Sequence, residues 1–275
     1  MNIKRIAVTG CGWLGLPLAA RLAEQVHFVR GSTTQKEKIP LLEEEGIEPW
    51  LVRLNPAPEG DNIHAFFEVD TVVLAFPPPR TENKTSFMEQ QARELIQALN
   101  SSGVSRLIMA SSTGVYGFHQ QDADEQDPHP PQTENGKGLK MMEELFLADA
   151  KASTAVVRLA GLIGPGRNPG RFLSGRSTGG NGNEPVNLIH QTDAIGVIEA
   201  LIMQPDLTGI FNACAAEHPS RTLFYSTAAR RFGYPEPIFA ESEPKPWKRI
   251  ISDRIRKEAG YSFVYDNPID ALEDM

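Results

Sequence analysis

The sequence predicts an α/β fold built on an open, doubly wound parallel sheet with a small C-terminal lobe, and three observations carry that prediction. Apolar strand-like runs alternate with stretches of helical periodicity over residues 3–159. Two of those runs, 69–76 and 107–110, are almost unbroken in apolar residues, as strands covered on both faces require. The first run breaks directly into Gly10-Cys11-Gly12-Trp13-Leu14-Gly15, a glycine turn between a strand and a helix.

Taken in order, residues 3–9 (IKRIAVT) form the first strand. From Leu14 the residues Leu14, Leu18 and Leu22, with Ala19 and Ala23, fall at helical spacing, and Pro17 is tolerated near the first turn. Residues 26–30 (VHFVR) read as a second strand, and the buried run 69–76 is stopped by Pro77-Pro78-Pro79. A helix over 86–100 gathers Phe87, Leu95, Ile96 and Leu99 on one face. The strand 107–110 (LIMA) enters Ser111-Ser112-Thr113-Gly114-Val115-Tyr116-Gly117. A helix over 138–150 buries Leu139, Met142, Phe146 and Ala150 and leaves Lys140, Glu143 and Glu144 elsewhere on its surface; 154–159 (TAVVRL) is one more strand. Beyond it the pattern loosens, with seven glycines among the twenty positions 164–183. Residues 1–165 are thus expected to form the main domain, with return strands near 186–213 (186–189 and 209–213), and 166–275 mainly a smaller substrate-side lobe.

A chain of 275 residues suits one large domain with an appendage. Hydrophobic residues at 40% and charged residues at 23% exclude a disordered chain. The net charge of -8 is scattered, so neither nucleic acid nor an anionic membrane is an expected partner, while small phosphorylated ligands stay open. Cys11 and Cys214 are too few for a disulfide framework and lack zinc-ligand spacing, so a reducing cytoplasm and no metal are expected. There is no apolar signal core and no run of 18 apolar residues, which predicts a chain that is neither exported nor membrane-spanning.

Gly10, Gly12 and Gly15 spell GxGxxG in the required strand and helix context. In a dinucleotide site the first glycine permits the turn, the second lets backbone approach a pyrophosphate, and the third allows close packing of helix on sheet. Gly10, Gly12, Trp13, Leu14 and Gly15 are therefore candidate cofactor contacts; the other reading is a plain βα turn. Cys11 reads as a small filler. A carboxylate about 20 residues on would bind the ribose hydroxyls of NAD. Here the second strand ends Arg30-Gly31-Ser32-Thr33-Thr34, followed by Lys36 and Lys38, so Ser32, Thr33 and Thr34 suit the 2'-phosphate of NADP, with NAD as the alternative. Ala75, Phe76 and Pro77 end a strand at the carboxyl edge, the crevice where such sheets bind ligands.

The glycine loop, LIMASSTGVYG, RLAGLIGPGR and NLIHQTDAIG together resemble, in order and spacing, the extended short-chain dehydrogenase/reductases of the NAD-dependent epimerase/dehydratase group. The resemblance covers nearly the whole chain. A bacterial subgroup of atypical members is most similar, through Trp13-Leu14-Gly15, the Ser-Thr-Thr-Gln stretch at Ser32 and the Arg-Leu-Ala-Gly-Leu run at Arg158. The resemblance implies a Rossmann core with a C-terminal substrate lobe, a small-molecule substrate such as a nucleotide sugar, hydride transfer, and a homodimer through two helices. It also implies that Ala75, Phe76 and Pro77 flank the cofactor ribose and nicotinamide, with Ser111 beside the cofactor and Thr113 beside the substrate.

The family mechanism asks for a Ser or Thr, a Tyr and a Lys, the tyrosine moving a proton while the lysine lowers its pKa. Ser112 occupies the serine position, and Tyr116 corresponds to a packing residue. Ser112 equally suits a strand-end residue that satisfies backbone amides. Lys140 matches the family lysine, which places Gly136 where the tyrosine belongs. Lys137, His190 and Tyr225 are conceivable replacements; Lys140 and Glu144 are equally an ordinary i,i+4 pair. His190 and Asp193 resemble the family's His-x-x-Asp segment, with Thr192 a candidate helix N-cap and His190 either a substrate contact or a satisfied, partly buried histidine. Gly161 and Ile163 stand where the family shows an asparagine and an aromatic residue. Arg167, Arg171 and Arg176, with Arg171 foremost, could clamp a diphosphate or carboxylate, or be solvated. Residues 174–183 (SGRSTGGNGN) read as too polar and glycine-rich to pack, hence disordered or a lid. Three readings stay open: an NAD(P)-linked epimerase/dehydratase-like enzyme with a degenerate site, a catalytically silent NADP(H)-binding sensor or scaffold, and a nucleotide-free structural domain.

Overall fold

A computed structural model of the chain describes residues 3–180, 182–240 and 246–275. In chain order its main elements are β1 (Arg5–Thr9), α1 (Gly15–Glu24), β2 (Phe28–Thr33), α2 (Ile39–Glu44), β3 (Glu48–Leu51), β4 (Thr71–Leu74), α3 (Lys84–Ser102) and β5 (Arg106–Ser112). There follow α4 (Glu134–Asp149), β6 (Ser153–Leu159), β7 (Gly161–Ile163), β8 (Leu188–His190), α5 (Gln191–Met203), β9 (Gly209–Ala213), α6 (Arg221–Arg231) and α7 (Asp253–Ala259). The central sheet is parallel and seven-stranded, in the order β9-β6-β5-β4-β1-β2-β3. β1 lies between β2 and β4, so the winding reverses beside the glycine loop, where open α/β sheets bind ligands.

The strand interiors are buried as their composition requires: Ile6, Ala7 and Val8 of β1, Val72 and Val73 of β4, and Leu107 and Ile108 of β5 have no exposed surface. Several boundaries move relative to the sequence pattern. Val26 takes a positive φ of 67° at the turn after α1, which delays β2 to Phe28. α4 starts four residues before position 138 because the Thr133 hydroxyl caps it, accepting from the Gly136 amide at 3.1 Å. β3 has no clear sequence signature; it is an edge strand, which is why Pro49 is tolerated in it. Arg106 opens β5 from a buried position, where its guanidinium donates to the Leu201 and Leu207 carbonyls at 2.8 Å each and to Ser153 O at 3.2 Å. Burial holds its pKa down at about 10.

The chain divides into two compact units, Met1–Val115 with Thr133–Arg158 and Ile198–Ile210, and Tyr116–Gln132 with Leu159–Val197 and Phe211–Met275. The backbone passes between them more than once. The return of chain to the central sheet is β9 alone: β8 pairs in parallel with β7 in a separate two-stranded sheet, so the segment 186–189 is no strand of the central one.

In the second unit, Ile163, Val186, Leu188, Phe224, Ala228 and Leu272 form a core. Asp193 is fully buried and accepts hydrogen bonds from the Tyr261 hydroxyl (2.9 Å) and from the Val264 (2.7 Å) and Tyr265 (3.0 Å) amides. Its carboxylate ties α5 to the C-terminal segment, a role beyond that of a favourable charge in the first turn. Thr192 is not an N-cap, because α5 begins at Gln191 and the Thr192 amide donates to His190 Nδ1 at 3.2 Å. Residues 174–180, 182 and 183 are threaded into the unit: Ser177–Thr178 pairs in parallel with Ile238–Phe239, Gly175 N donates to Pro235 O, and Thr222 N donates to Gly182 O. Backbone bonds hold this stretch, which is why a composition poor in apolar side chains packs after all; Asn181 lies outside the described residues.

Candidate functional site

The glycine loop is locked into a shape its residues dictate. Gly10 has φ +87°, open to glycine without strain, and a Cβ there would lie 3.1 Å from Ala75 O and 3.2 Å from Phe76 Cα. At Gly15 a Cβ would collide with the Gly10 carbonyl oxygen. Gly12 is the reverse: it is exposed, and a Cβ there would meet nothing nearer than Gly10 O at 4.0 Å. The loop is braced by Gly10 N donating to Ser32 Oγ and Cys11 N donating to Ser32 O, both at 2.8 Å. α1 then starts with no side-chain cap and no acidic residue in its first turn, so none of its own first-turn side chains offsets the positive end of its dipole. A bare Gly12 Cα in front of such a helix start fits the close approach of an anion.

Ser32 sits where NADP selectivity was expected, but it is 4% exposed and its hydroxyl is engaged by the loop. Thr33 is buried and its hydroxyl accepts from the Gln35 amide at 3.1 Å. Thr34 and Lys36 face solvent, and the Lys38 charge is felt at the Cys11 thiol within the loop. Arg30 is occupied elsewhere, bonded to Glu48 at 3.1 Å and stacked over Phe28 and Trp50. Cys11 is the filler the sequence suggested: it is 3% exposed, its side chain lies against Gly31, and burial pushes its thiol up to about 12. Trp13 is half-buried, Leu14 buried and Pro77 exposed.

The register Leu74 with Met109 carries Ser111 and Ser112 beyond the carboxyl end of β4. Ser112 is half-buried and its hydroxyl accepts from the Gly114 amide at 3.1 Å, while Thr113 is buried. Ser111 turns inward, donating to Glu143 Oε1 at 2.5 Å. Glu143 also takes a two-pronged ion pair from Arg158, whose Nη2 lies 2.6 Å from Oε2. Glu143 therefore does not lie on the surface of α4: it is 1% exposed, because a guanidinium in the buried strand β6 needs a counter-charge. An arginine inside VVRL was the signal that a buried acid had to exist.

Gly136 is buried in the first turn of α4, and no tyrosine stands there. Lys140 lies 3.4 Å from Glu144 on the exposed side, and Lys137 pairs with Glu134 at 2.8 Å. Between α3, α4 and the ends of β4 and β5 lies a small apolar cleft, lined by Leu74, Phe76, Pro78, Met109, Ala110 and Leu139 among others. The structure thus brings the glycine loop, Ala75 and Phe76 into contact, and sets Ser111 and Ser112 on the same sheet edge.

Arg171 and His190 belong to the second unit. Arg171 is exposed at the end of a short turn. His190 is buried, packs edge-on against Tyr265, and its Nε2 meets no hydrogen-bond partner among the described residues. Burial lowers its pKa from the ordinary imidazole value, with Asp193 pulling the other way. Tyr225 has its pKa raised by burial, the wrong direction for a proton donor working near neutrality.

Lys248 of the second unit carried no sequence signal. It is 7% exposed, donates to Tyr116 O at 2.5 Å and lies over the Phe118 ring; Tyr116 itself packs inward and donates to Asn212 Oδ1 at 2.7 Å. Burial lowers the Lys248 pKa from 10.5 to about 8, with Asp127 opposing. A cation whose pKa falls on folding binds fewer protons in the folded state between those two values, so its cost is full below pH 8 and vanishes as pH approaches 10.5. Lys248→Met is therefore expected to remove a rise in stability between pH 8 and 10.5, read from urea midpoints at several pH values.

With this geometry in view, the chain matches the NAD(P)H-binding family over residues 10–174. It belongs to that family, and its fold is that of NAD-dependent epimerase structures. It is 36% identical over 270 residues to Protein YeeZ of Escherichia coli (strain K12), covering 97% of this chain and 98% of that one. The fold is shared with UDP-glucuronic acid 4-epimerase from Bacillus cereus in complex with NAD, at a TM-score of 0.80 and 16% identity over 98% and 96% of the two chains. It is shared also with MoeE5 in complex with UDP-glucose and NAD, at a TM-score of 0.81 and 19% identity over 98% and 96%. Among the described residues no helix is long and apolar enough to cross a membrane.

Proposed function

We propose that the protein binds NADP(H) at the carboxyl edge of β1 and β2 and acts by hydride transfer on a nucleotide-sugar-like substrate, as an epimerase/dehydratase-like oxidoreductase or isomerase. The observation that carries this reading is the bare Gly12 Cα before an uncapped helix start. When bound, the nicotinamide supplies hydride acceptance or donation. Gly10, Gly12, Trp13, Leu14 and Gly15 hold the pyrophosphate, and Thr34, Lys36 and Lys38 take the 2'-phosphate, with Ser32 and Thr33 shaping the loop behind them. Ala75, Phe76 and Pro77 flank the ribose and nicotinamide. Ser112 orients a substrate hydroxyl beside Thr113; taken within the second unit by itself, Arg171 and His190 are the substrate-contact candidates. UDP-sugar complexes of fold relatives support the substrate class.

A second reading, cofactor binding without turnover, is favoured by Gly136 at the start of α4 and by Lys140 paired outward with Glu144. NADPH fluorescence titration followed by a panel of nucleotide sugars separates the two. Turnover supports the first reading, tight binding with no turnover the second, and absence of binding overturns both. Reversing both charges in the Lys36→Glu/Lys38→Glu variant is expected to weaken NADPH binding at least tenfold while leaving NADH binding within about twofold. Equal losses for the two cofactors would sink the 2'-phosphate assignment.

A further inference from the structure

We propose that His119, Asp127 and His129, in the second unit, form a binding site for a borderline divalent cation, with Zn²⁺ the best match. The loop carrying them is fixed by bonds that need no cation. Gly117 N donates to His129 O at 3.1 Å, Gln120 N donates to Trp247 O at 2.8 Å, and Asp122–Ala123 pairs in parallel with Arg249–Ile250. Arg249 clamps the Asp122 carboxylate at 2.6 and 2.8 Å. Asp127 Oδ1 accepts from the His129 amide at 2.8 Å, which turns its carboxylate towards both rings.

Within this frame His119 Nε2 lies 3.0 Å from Asp127 Oδ2, and His129 Nδ1 lies 3.0 Å from Asp127 Oδ1. One donor atom from each of the three side chains falls within 4.8 Å of the others. Metal bonds of roughly 2.0–2.2 Å set adjacent ligand atoms roughly 3–3.5 Å apart; the two His–Asp separations lie at the short end of that range and the remaining pair within 4.8 Å. The His119 and Asp127 side chains are only 9% and 5% exposed, whereas His129 is 48% exposed, so the site is buried on one side and open to solvent on the other.

The surroundings of His119 point to a cation. Its Nδ1 faces Gly117 O at 3.4 Å, and its Nε2 faces both Asp127 Oδ2 and Asp122 O, the latter at 3.4 Å. All three are acceptors. A neutral imidazole carries one N–H, so one nitrogen would turn a lone pair towards oxygen. Either a second proton, giving an imidazolium paired with Asp127, or a cation at Nε2 resolves the conflict; the cation leaves the Nδ1 hydrogen on the Gly117 carbonyl, the outer contact that orients ligating histidines. The two rings are stacked nearly parallel, 7° apart with centroids at 3.9 Å, so one ring must rotate out of the stack before both nitrogens can meet one ion; His129, 48% exposed, is the ring with room to do so. Two imidazole nitrogens and one carboxylate favour Zn²⁺ over Mg²⁺ or Ca²⁺, and three protein ligands leave a position for water.

The test is Zn²⁺ titration of the chelator-stripped full chain in competition with a chromophoric chelator, with Co²⁺ absorption as a second readout of ligand geometry. One Zn²⁺ per chain is expected, with a tetrahedral or five-coordinate Co²⁺ spectrum. Asp127→Asn and His129→Gln should each weaken binding at least tenfold, while His64→Gln, at the exposed His64–Glu68 pair, should not. His129 is half-exposed, so its variant is expected to melt like the wild type when both are metal-free, which keeps the comparison valid if Asp127→Asn unfolds. Unchanged affinity in His129→Gln, or no stoichiometric binding to the wild type, overturns the proposal and leaves the trio as an ion-paired clasp.

Discussion

Arg158→Ala is expected to destabilise the first unit by about 3–5 kcal/mol, because it strands a carboxylate in the core. Glu143 is 1% exposed and its two oxygens are shared between Arg158 and Ser111. Taking one partner away leaves the other charge without its counter-ion in a place water does not reach. The companion variant Glu143→Met/Arg158→Leu removes both charges and should recover most of the loss, since well-packed apolar pairs replace buried ion pairs at little cost. Urea unfolding of the three proteins checks this. A single variant no less stable than the double one would mean that Glu143 takes up a proton or solvent reaches it, and that the ion pair is not what closes this part of the core. Cofactor affinity offers a second comparison, because the same carboxylate fixes Ser111, next to Ser112 at the sheet edge.

That network also shows where sequence reasoning stops. Strands β1, β4, β5 and β6 were legible because parallel strands buried on both faces leave unbroken apolar runs, and the glycine loop because strained or crowded backbone restricts which residues can stand there. α4 was legible as a helix, yet Glu143 was placed on its surface: helical spacing assigns a face to a residue but cannot tell which faces are covered when two helices and a sheet converge. The partner that buries it, Arg158, is fifteen positions away and belongs to a different element. Lys248 and the His119–Asp127–His129 group were missed for a related reason. Their surroundings are made by loops whose backbone bonds, such as Gln120 to Trp247, join segments with no periodic signal. Ser32 was legible as a polar residue at the right place, but its inward hydroxyl depends on the conformation of Gly10, which composition alone does not supply.

The second large effect separates the two glycines that look alike in GxGxxG. Gly15→Ala should lower stability by about 1–3 kcal/mol in the absence of any ligand, because the added methyl meets the Gly10 carbonyl, a backbone atom that cannot swing away. The loop must open to relieve that contact, so NADPH affinity should fall at least about a hundredfold as well, a loss of roughly 2.7 kcal/mol. Gly12→Ala places its methyl in open space, 4.0 Å from the nearest atom, and its ligand-free stability should stay within about 0.5 kcal/mol of the wild type. If the pyrophosphate lies on Gly12, this silent methyl occupies the surface the anion needs, and NADPH affinity should fall at least tenfold with the fold untouched. Thermal melts without ligand and NADPH titrations on both variants read the two effects separately. Wild-type affinity in Gly12→Ala would place the cofactor elsewhere, however unstable Gly15→Ala proved to be: a turn that needs glycine to fold differs from one that needs glycine to bind, and only the second makes the loop a cofactor site.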